Sequence, residues 1–500
     1  MICIKGARMV ITLVLLFLCP LVKASIQHHF YFSPVCMEAQ KHIASLRLNK
    51  AQQLLSAEKK LHPDNVAILF LENYIDYYRV ITSQDYSNLK KMEQLKDERL
   101  KAIRKISPKS PYFLYAQSEI NLQWGFIKSF NQEYLGAMLE FRNAYQLAKE
   151  NYEKHPEFKP SQKTVGLFRA LLGTIPNNYK WILSVAGLSG DFDGGMQLIQ
   201  RYFNTDNYQE FILDKQSSEF YYTLFMLNFG DKQKAWAFCN EHTADHYTNL
   251  MSVYLRAFTA SKVGKNDEAI LVLQQRPKSA DYEPFYALDY MLGLCKLNRL
   301  DDDAAQNLKR FVSFHKGKVL MKDAYRRISW CYLLKNDMDK FKIYRELSKR
   351  YGNGNNEEDK NVLLETEQGI MHDLDILKSR LLFDGGYYQR AEETIKKKDV
   401  NQLKTDYQKL EYHYRYARIL HEQNKYNSAI DYYSYVVKNA PVNTPYYFAP
   451  YACLQMGYIY QKMGFGQLAK SHFSKVESYT KAEYHEGIKV KSNKELQKLK

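Results

Sequence analysis

The side chains best suited to chemistry are few and far apart. His242 and His246 are four residues apart, which would put two imidazoles on one helix face, a spacing that can hold a metal ion. Beyond Asp245 no third ligand stands near them, so both are expected as surface or packing residues, and no metal is expected. His28-His29 forms a second imidazole pair, expected in a flexible N-terminal segment. Asp301-Asp302-Asp303 could draw Ca²⁺, but acids just ahead of a helical pattern are expected to cap its N-terminus, opposing the positive end of the helix dipole. His372, His413 and His421 fall on helical patterns as surface or packing residues. The chain has no HExxH, CxxC, GxSxG, dinucleotide fingerprint or GxxxxGK[ST]. Catalytic residues and cofactors are therefore expected to be absent, and the chain is read as a non-enzyme.

What positions the side chains must then be a helical framework. Of 500 residues, 45% are hydrophobic and 25% charged, enough to bury a core. Only 13 Pro and 22 Gly are present, against 41 Tyr, which disfavours turn-dense β-sandwiches and low-complexity linkers. The net charge is +16, yet the lysines are spread along the whole chain, and no nucleic-acid partner is expected.

One pattern repeats. A small residue is followed twelve positions later by Ala: Ala39 and Ala51, Gly125 and Ala137, Thr223 and Ala235, Ala257 and Ala269, Ser379 and Ala391, Ala417 and Ala429, Gly457 and Ala469. Gly293 with Ala305 fits less well, because Ala304 competes. Two antiparallel helices joined by a tight turn approach closely only where side chains are small, so the small residue is expected to face the Ala. One helical turn past the Ala comes a bulky residue: Leu55, Phe141, Leu273, Ile395, Tyr433 or Phe473. Between them lie residues that end helices, such as Gly230, Gly264, Gly386, Asn424 and Gly464. Pro63 and Pro441 stand twelve past their Ala, where the second helix should stop.

This pattern resembles the tetratricopeptide repeat (TPR), whose consensus has a Trp-like residue, Leu-Gly, Tyr, a turn, Ala, Phe, Ala and Pro. The best copy reads Trp124-Gly125, Tyr134, Ala137, Phe141, Ala144. Ala269 follows Ala235 by 34 residues, the period of that family, and later intervals are longer. The resemblance implies an all-α, right-handed α-solenoid of TPR-like helix hairpins. Residues 25–165 are expected as N-terminal hairpins, 166–215 as a Gly-rich helical joint, and 216–350 as central repeats with a degenerate copy at 323–350. A loop at 351–365, C-terminal repeats at 366–480 and a basic tail at 481–500 complete the chain. The joint, with Gly187-Leu188-Ser189-Gly190-Asp191, is similar to one in a eukaryotic TPR family of mitochondrial outer-membrane and inclusion-body-clearance proteins.

In the TPR family ligands meet the first helix of each pair. Carried onto this chain, the groove-facing positions are Tyr254 and Phe258, Arg380 with Phe383, Glu411, Tyr414, Arg418 and His421, and Tyr451, Leu454, Tyr458 and Gln461. Tyr and Arg are enriched at binding hot spots. The groove is expected to take an extended peptide or acidic protein segment.

The N-terminus reads as an export signal. Lys5 and Arg8 precede an apolar run from Met9 to Val22, with a cut expected after Ala24. Its removal takes three positive charges and no acid from the +16, leaving +13. Cys19 follows Leu18, a poor setting for lipidation. Cys36, Cys239, Cys295, Cys331 and Cys453 remain, an odd number in apolar helical settings, and are expected buried. The expected place is the periplasm or outer membrane of a bacterial envelope, with the tail around Lys489, Lys491, Lys494, Lys498 and Lys500 a candidate for touching an anionic membrane surface. A protein-binding scaffold is the first reading. A surface or periplasmic glycan-binding accessory of nutrient uptake is the second. Oligomeric state is left open.

Overall fold

The computed structural model describes residues 28–175, 190–203, 210–352 and 357–499. The export signal with its cut after Ala24, Cys19, and the centre of the joint at 176–189 lie outside them. The described chain is an all-α solenoid of stacked helix hairpins. No named strand occurs among the described residues, and a single isolated bridge pairs His29 with Asn65.

The repeating alanines set the hairpins. Ala51, Ala235, Ala269, Ala391, Ala429 and Ala469 are fully buried, and Ala137 nearly so, each early in a second helix. The competition near residue 305 goes to Ala304, which is buried while Ala305 is half-exposed. The small partner makes a different contact from the one expected. Gly125 faces the ring of Phe141, and Gly457 that of Phe473, one turn beyond the Ala; Gly293 faces Leu308. Glycine is needed because the bulky residue lies against its Cα. At Ser379 the spacing of twelve is direct: its hydroxyl donates to the Ala391 carbonyl at 2.9 Å.

The turns share one backbone device. A residue in the left-handed region stands five before the signature position at Leu46, Gln132, Gly264, Asn336, Gly386, Asn424 and Gly464. This conformation ends the first helix and reverses the chain.

Successive hairpins curl until the chain meets itself. Gln40 Nε2 donates to the Glu210 carbonyl at 3.0 Å, and Gln216 Nε2 to that of Ala44 at 2.9 Å. Glu283 N–H donates to Leu46 O at 2.7 Å, so the first hairpin also touches the chain near residue 283. Helices Pro160–Gly173 and Phe192–Phe203 pack through Gly166 and Gly195, where a Cβ would strike the opposing backbone.

Several expectations are corrected. The loop at 351–365 contains a helix, Glu357–Glu367, because Asp359 and Val362 are one turn apart and both find burial. After hairpin Met321–Arg350 the next hairpin packs back on helix Ala287–Arg299, and this insert helix rests on Met321–Leu334 and Met338–Arg350. The basic tail is a capping helix, His485–Lys498, packed on Phe448–Lys462, with Lys489 paired to Glu477 at 2.7 Å and Lys494 donating to Phe229 O at 3.2 Å. His29 is held by Asp64 at 3.2 Å and by backbone bonds to 64 and 66. Asp301 and Asp303 pair with Arg299 and Lys296, and neither side chain caps the helix that follows. His242 meets Glu219 at 3.0 Å, while His246 sits in a turn and bonds the Thr243 carbonyl, so the two share no helix face.

Candidate functional site

Helices Met321–Leu334, Leu374–Asp384, Asp406–Glu422 and Phe448–Lys462 bring a cluster of arginines and aromatics together inside the C-terminal hairpins. At its centre Trp330 is fully buried. The guanidinium carbons of Arg326, Arg327 and Arg380 lie 4.9, 4.5 and 5.1 Å from its ring centroid, and His372 meets it edge-on at 5.2 Å. Cations collect there because the indole face is their best uncharged partner.

The carboxylates facing these cations come from three elements. Asp323, fully buried, pairs with Arg326 and, at 3.2 Å, with Arg327. Glu365 of the insert helix lies 3.0 Å from Arg326 and 3.1 Å from His372 Nε2. Glu411 lies 3.7 Å from His372 Nδ1 and 3.2 Å from Arg415. Burial opposes charging His372, but Glu365 and then Glu411 outweigh it and raise its pKa. Burial likewise works against ionising Glu411 and Asp323, and the surrounding His and Arg charges win, holding both down to about 2. Burial raises Glu483, close by, to about 7.

Arg380 is served least. It makes no hydrogen bond through Nε, and the nearest carboxylate oxygens, of Asp384 and Glu411, are 4.0 Å away. Its side chain is 16% exposed, so it is desolvated yet reachable. Arg418 Nε is unpartnered too; the head group lies 4.8 Å from the Phe383 ring and donates to Tyr414 at 3.2 Å. Arg415 donates to Tyr447 at 2.6 Å. Fixed guanidinium groups flanked by aromatic faces suit recognition of carboxylates, with geometry as well as charge.

The expected groove residues divide. Arg380, Tyr414 and Arg418 come together, with Tyr451 joined through Tyr447 at 5.7 Å. His421 lies at the edge, 6.2 Å from Tyr433. Tyr458 leans on Phe473 of the second helix of its own hairpin, and Gln461 donates to Glu495 of the terminal helix at 3.3 Å, so Gln461 faces the capping helix. Tyr254 stacks on Phe258 and Phe285, packing between hairpins far from the cluster. Sequence reasoning missed Arg326, Arg327 and Trp330 because their repeat is degenerate. It missed Glu365 because its segment was read as a loop. Arg415, one position past Tyr414, was outside the family's groove register.

The five described cysteines are buried and unpaired, and burial pushes the Cys295, Cys331 and Cys453 thiols up to about 12. Among the described residues no group of three His, Cys, Asp or Glu can hold a metal ion, and no helix is long and apolar enough to cross a membrane.

No protein-family model matches the sequence, and no curated protein matches it. Solved structures with a similar fold include yeast Tom70, at 13% identity over 93% of this chain and 88% of that one, with a TM-score of 0.26. The P58(IPK) TPR domain aligns at 13% identity over 85% and 98%, TM-score 0.22. The human IFIT1 dimer with m7Gppp-AAAA aligns at 14% identity over 91% and 98%, TM-score 0.29. Superpositions this loose say nothing about what the chain binds.

Proposed function

We propose that the chain is a non-enzymatic scaffold of the bacterial cell envelope that binds an acidic segment of a partner protein inside its C-terminal hairpins. One observation carries the reading. Arg380 is largely desolvated, lies against Trp330, leaves its Nε without a hydrogen bond and has its two carboxylate partners, Asp384 and Glu411, no nearer than 4.0 Å, a weak compensation that an incoming carboxylate would complete. The basic start and apolar run ahead of Ala24 support export.

The test is site-specific photo-crosslinking in the native host. A benzophenone side chain at Tyr451, beside the cluster, is compared with one at Lys470, on the exposed outer face. The reading expects an acidic stretch of one protein to be captured from position 451 and not from 470. Capture of polysaccharide alone would favour the glycan-binding alternative. Equal capture from both positions would overturn the interior site.

A further inference from the structure

The interior assigned above to a partner is already touched by a segment of the same chain. Helix Glu357–Glu367 crosses it and is held by polar side chains. Asp359, fully buried, accepts the backbone N–H of Asp323 at 3.0 Å, in the first turn of helix Met321–Leu334. Exposed donors at a helix start favour a carboxylate. Glu365 fills the gap between Arg326 and His372. Asn361 donates to the Tyr484 hydroxyl at the start of the terminal helix.

Apolar anchorage is slight. Val362 is the one fully buried apolar side chain of the insert among its described side chains, whereas the neighbouring helix Leu374–Asp384 buries Ile376, Leu377, Leu381 and Leu382. Segments with few buried apolar contacts lie at the low-stability end of a fold and open first. The flanking Gly352 and Gly369 both adopt left-handed backbone, and Gly369 has no neighbour within 4 Å of a Cβ position.

We infer that the insert helix is an internal ligand: it holds the site that an acidic helical segment of the partner takes, and the partner enters by displacing it. The site then reads two carboxylates six residues apart, one on the N-terminus of helix Met321–Leu334 and one between Arg326 and His372. This inference rests on the scaffold reading and adds the shape and charge spacing of its ligand. With the insert away, Arg326 keeps Asp323 but loses Glu365, and His372 keeps only Glu411, so the exposed site gains positive character.

The experiment uses the full chain and a fluorescein-labelled peptide copying residues 357–369. The wild-type protein is compared with the double variant Asp359→Asn, Glu365→Gln, which keeps the insert but removes both carboxylates. Circular dichroism and the urea midpoint establish that the variant is folded. A docked competitor lowers apparent affinity by the fraction of time the site is open, so the labelled peptide is expected to bind the variant about tenfold tighter or more. A peptide carrying the same two substitutions is expected to bind neither protein. Equal affinity for both proteins overturns the internal-ligand inference; when both bind tightly, the scaffold reading survives it. No binding to either overturns the inference as well, and the crosslinking result then decides the scaffold reading by itself.

Discussion

A Cβ placed on Gly125 would stand 2.5 Å from the ring of Phe141, and Gly457 bears the same relation to Phe473. The tightest point of these two hairpins is thus glycine against aromatic, and a single methyl is too large there. Gly457→Ala gains roughly 1 kcal/mol in helix propensity but forces the rigid Phe473 ring to move, a strain of about 1–3 kcal/mol. The net expectation is a lower urea midpoint. Gly487→Ala is the control: it is helical with nothing within 4 Å of the new atom, and is expected to stabilise by about 0.5–1 kcal/mol.

Lys163 is fully buried in the N-terminal half, 2.5 Å from Glu119 and 2.7 Å from Asp214. Burial raises Asp214 to about 6 even beside this lysine. Lys163→Met leaves two carboxylates buried together, at a cost of roughly 3–5 kcal/mol at neutral pH. The folded-state pKa of Asp214, already above its unfolded value, then loses the cation that opposes its rise, so the folded variant binds more protons and its stability recovers as pH falls. Urea unfolding at pH 7 and pH 5 checks this. A loss equal at both pH values would contradict it.

Docking of the insert is expected to depend on pH through His372. A histidine whose folded pKa is raised contributes stability that is complete below its unfolded value near 6.5 and fades as pH rises through the folded pKa. Protection factors for amides 358–367, corrected for intrinsic exchange, should therefore be greatest below about pH 6.5 and decline as pH rises through the raised folded pKa of His372. His372→Gln should remove the dependence and lower protection throughout.

Arg380 offers a test of function against stability. Its two ion pairs, with Asp384 and Glu411, are both stretched to 4.0 Å, so Arg380→Met is expected to change the unfolding free energy by less than about 1 kcal/mol. Capture of the partner's acidic stretch by a benzophenone at position 451 should nevertheless fall about tenfold on adding this substitution, since a charge-assisted contact is worth about 1.5–3 kcal/mol. Immunoblotting of the crosslinked product compares the two proteins. Unchanged capture would remove Arg380 from the recognition site.

The hairpins were legible because their signal is local. A small residue, a turn and an Ala at fixed spacing are dictated by how two adjacent helices touch, and adjacent helices are adjacent in sequence. Hence the expected small–Ala pairs, the turn positions and the ends before Pro63 and Pro441 match helices Leu48–Leu61 and Tyr426–Asn439. At Gly125 and Gly457 the nearest side chain lies one turn beyond the Ala, on Phe141 and Phe473, because spacing fixes a helix face but not which side chain on it reaches across.

The amino-acid order by itself determined an all-α chain of paired helices with small residues at the crossings. Only the tertiary structure decided that Trp330 gathers three guanidinium groups, that Glu365 returns to lie beside Arg326, and that the last helix reaches Gln461. Those contacts join residues as far apart as Asn361 and Tyr484. Their geometry depends on how far each hairpin rotates on the previous one, a quantity summed over many side-chain contacts and written in no single repeat.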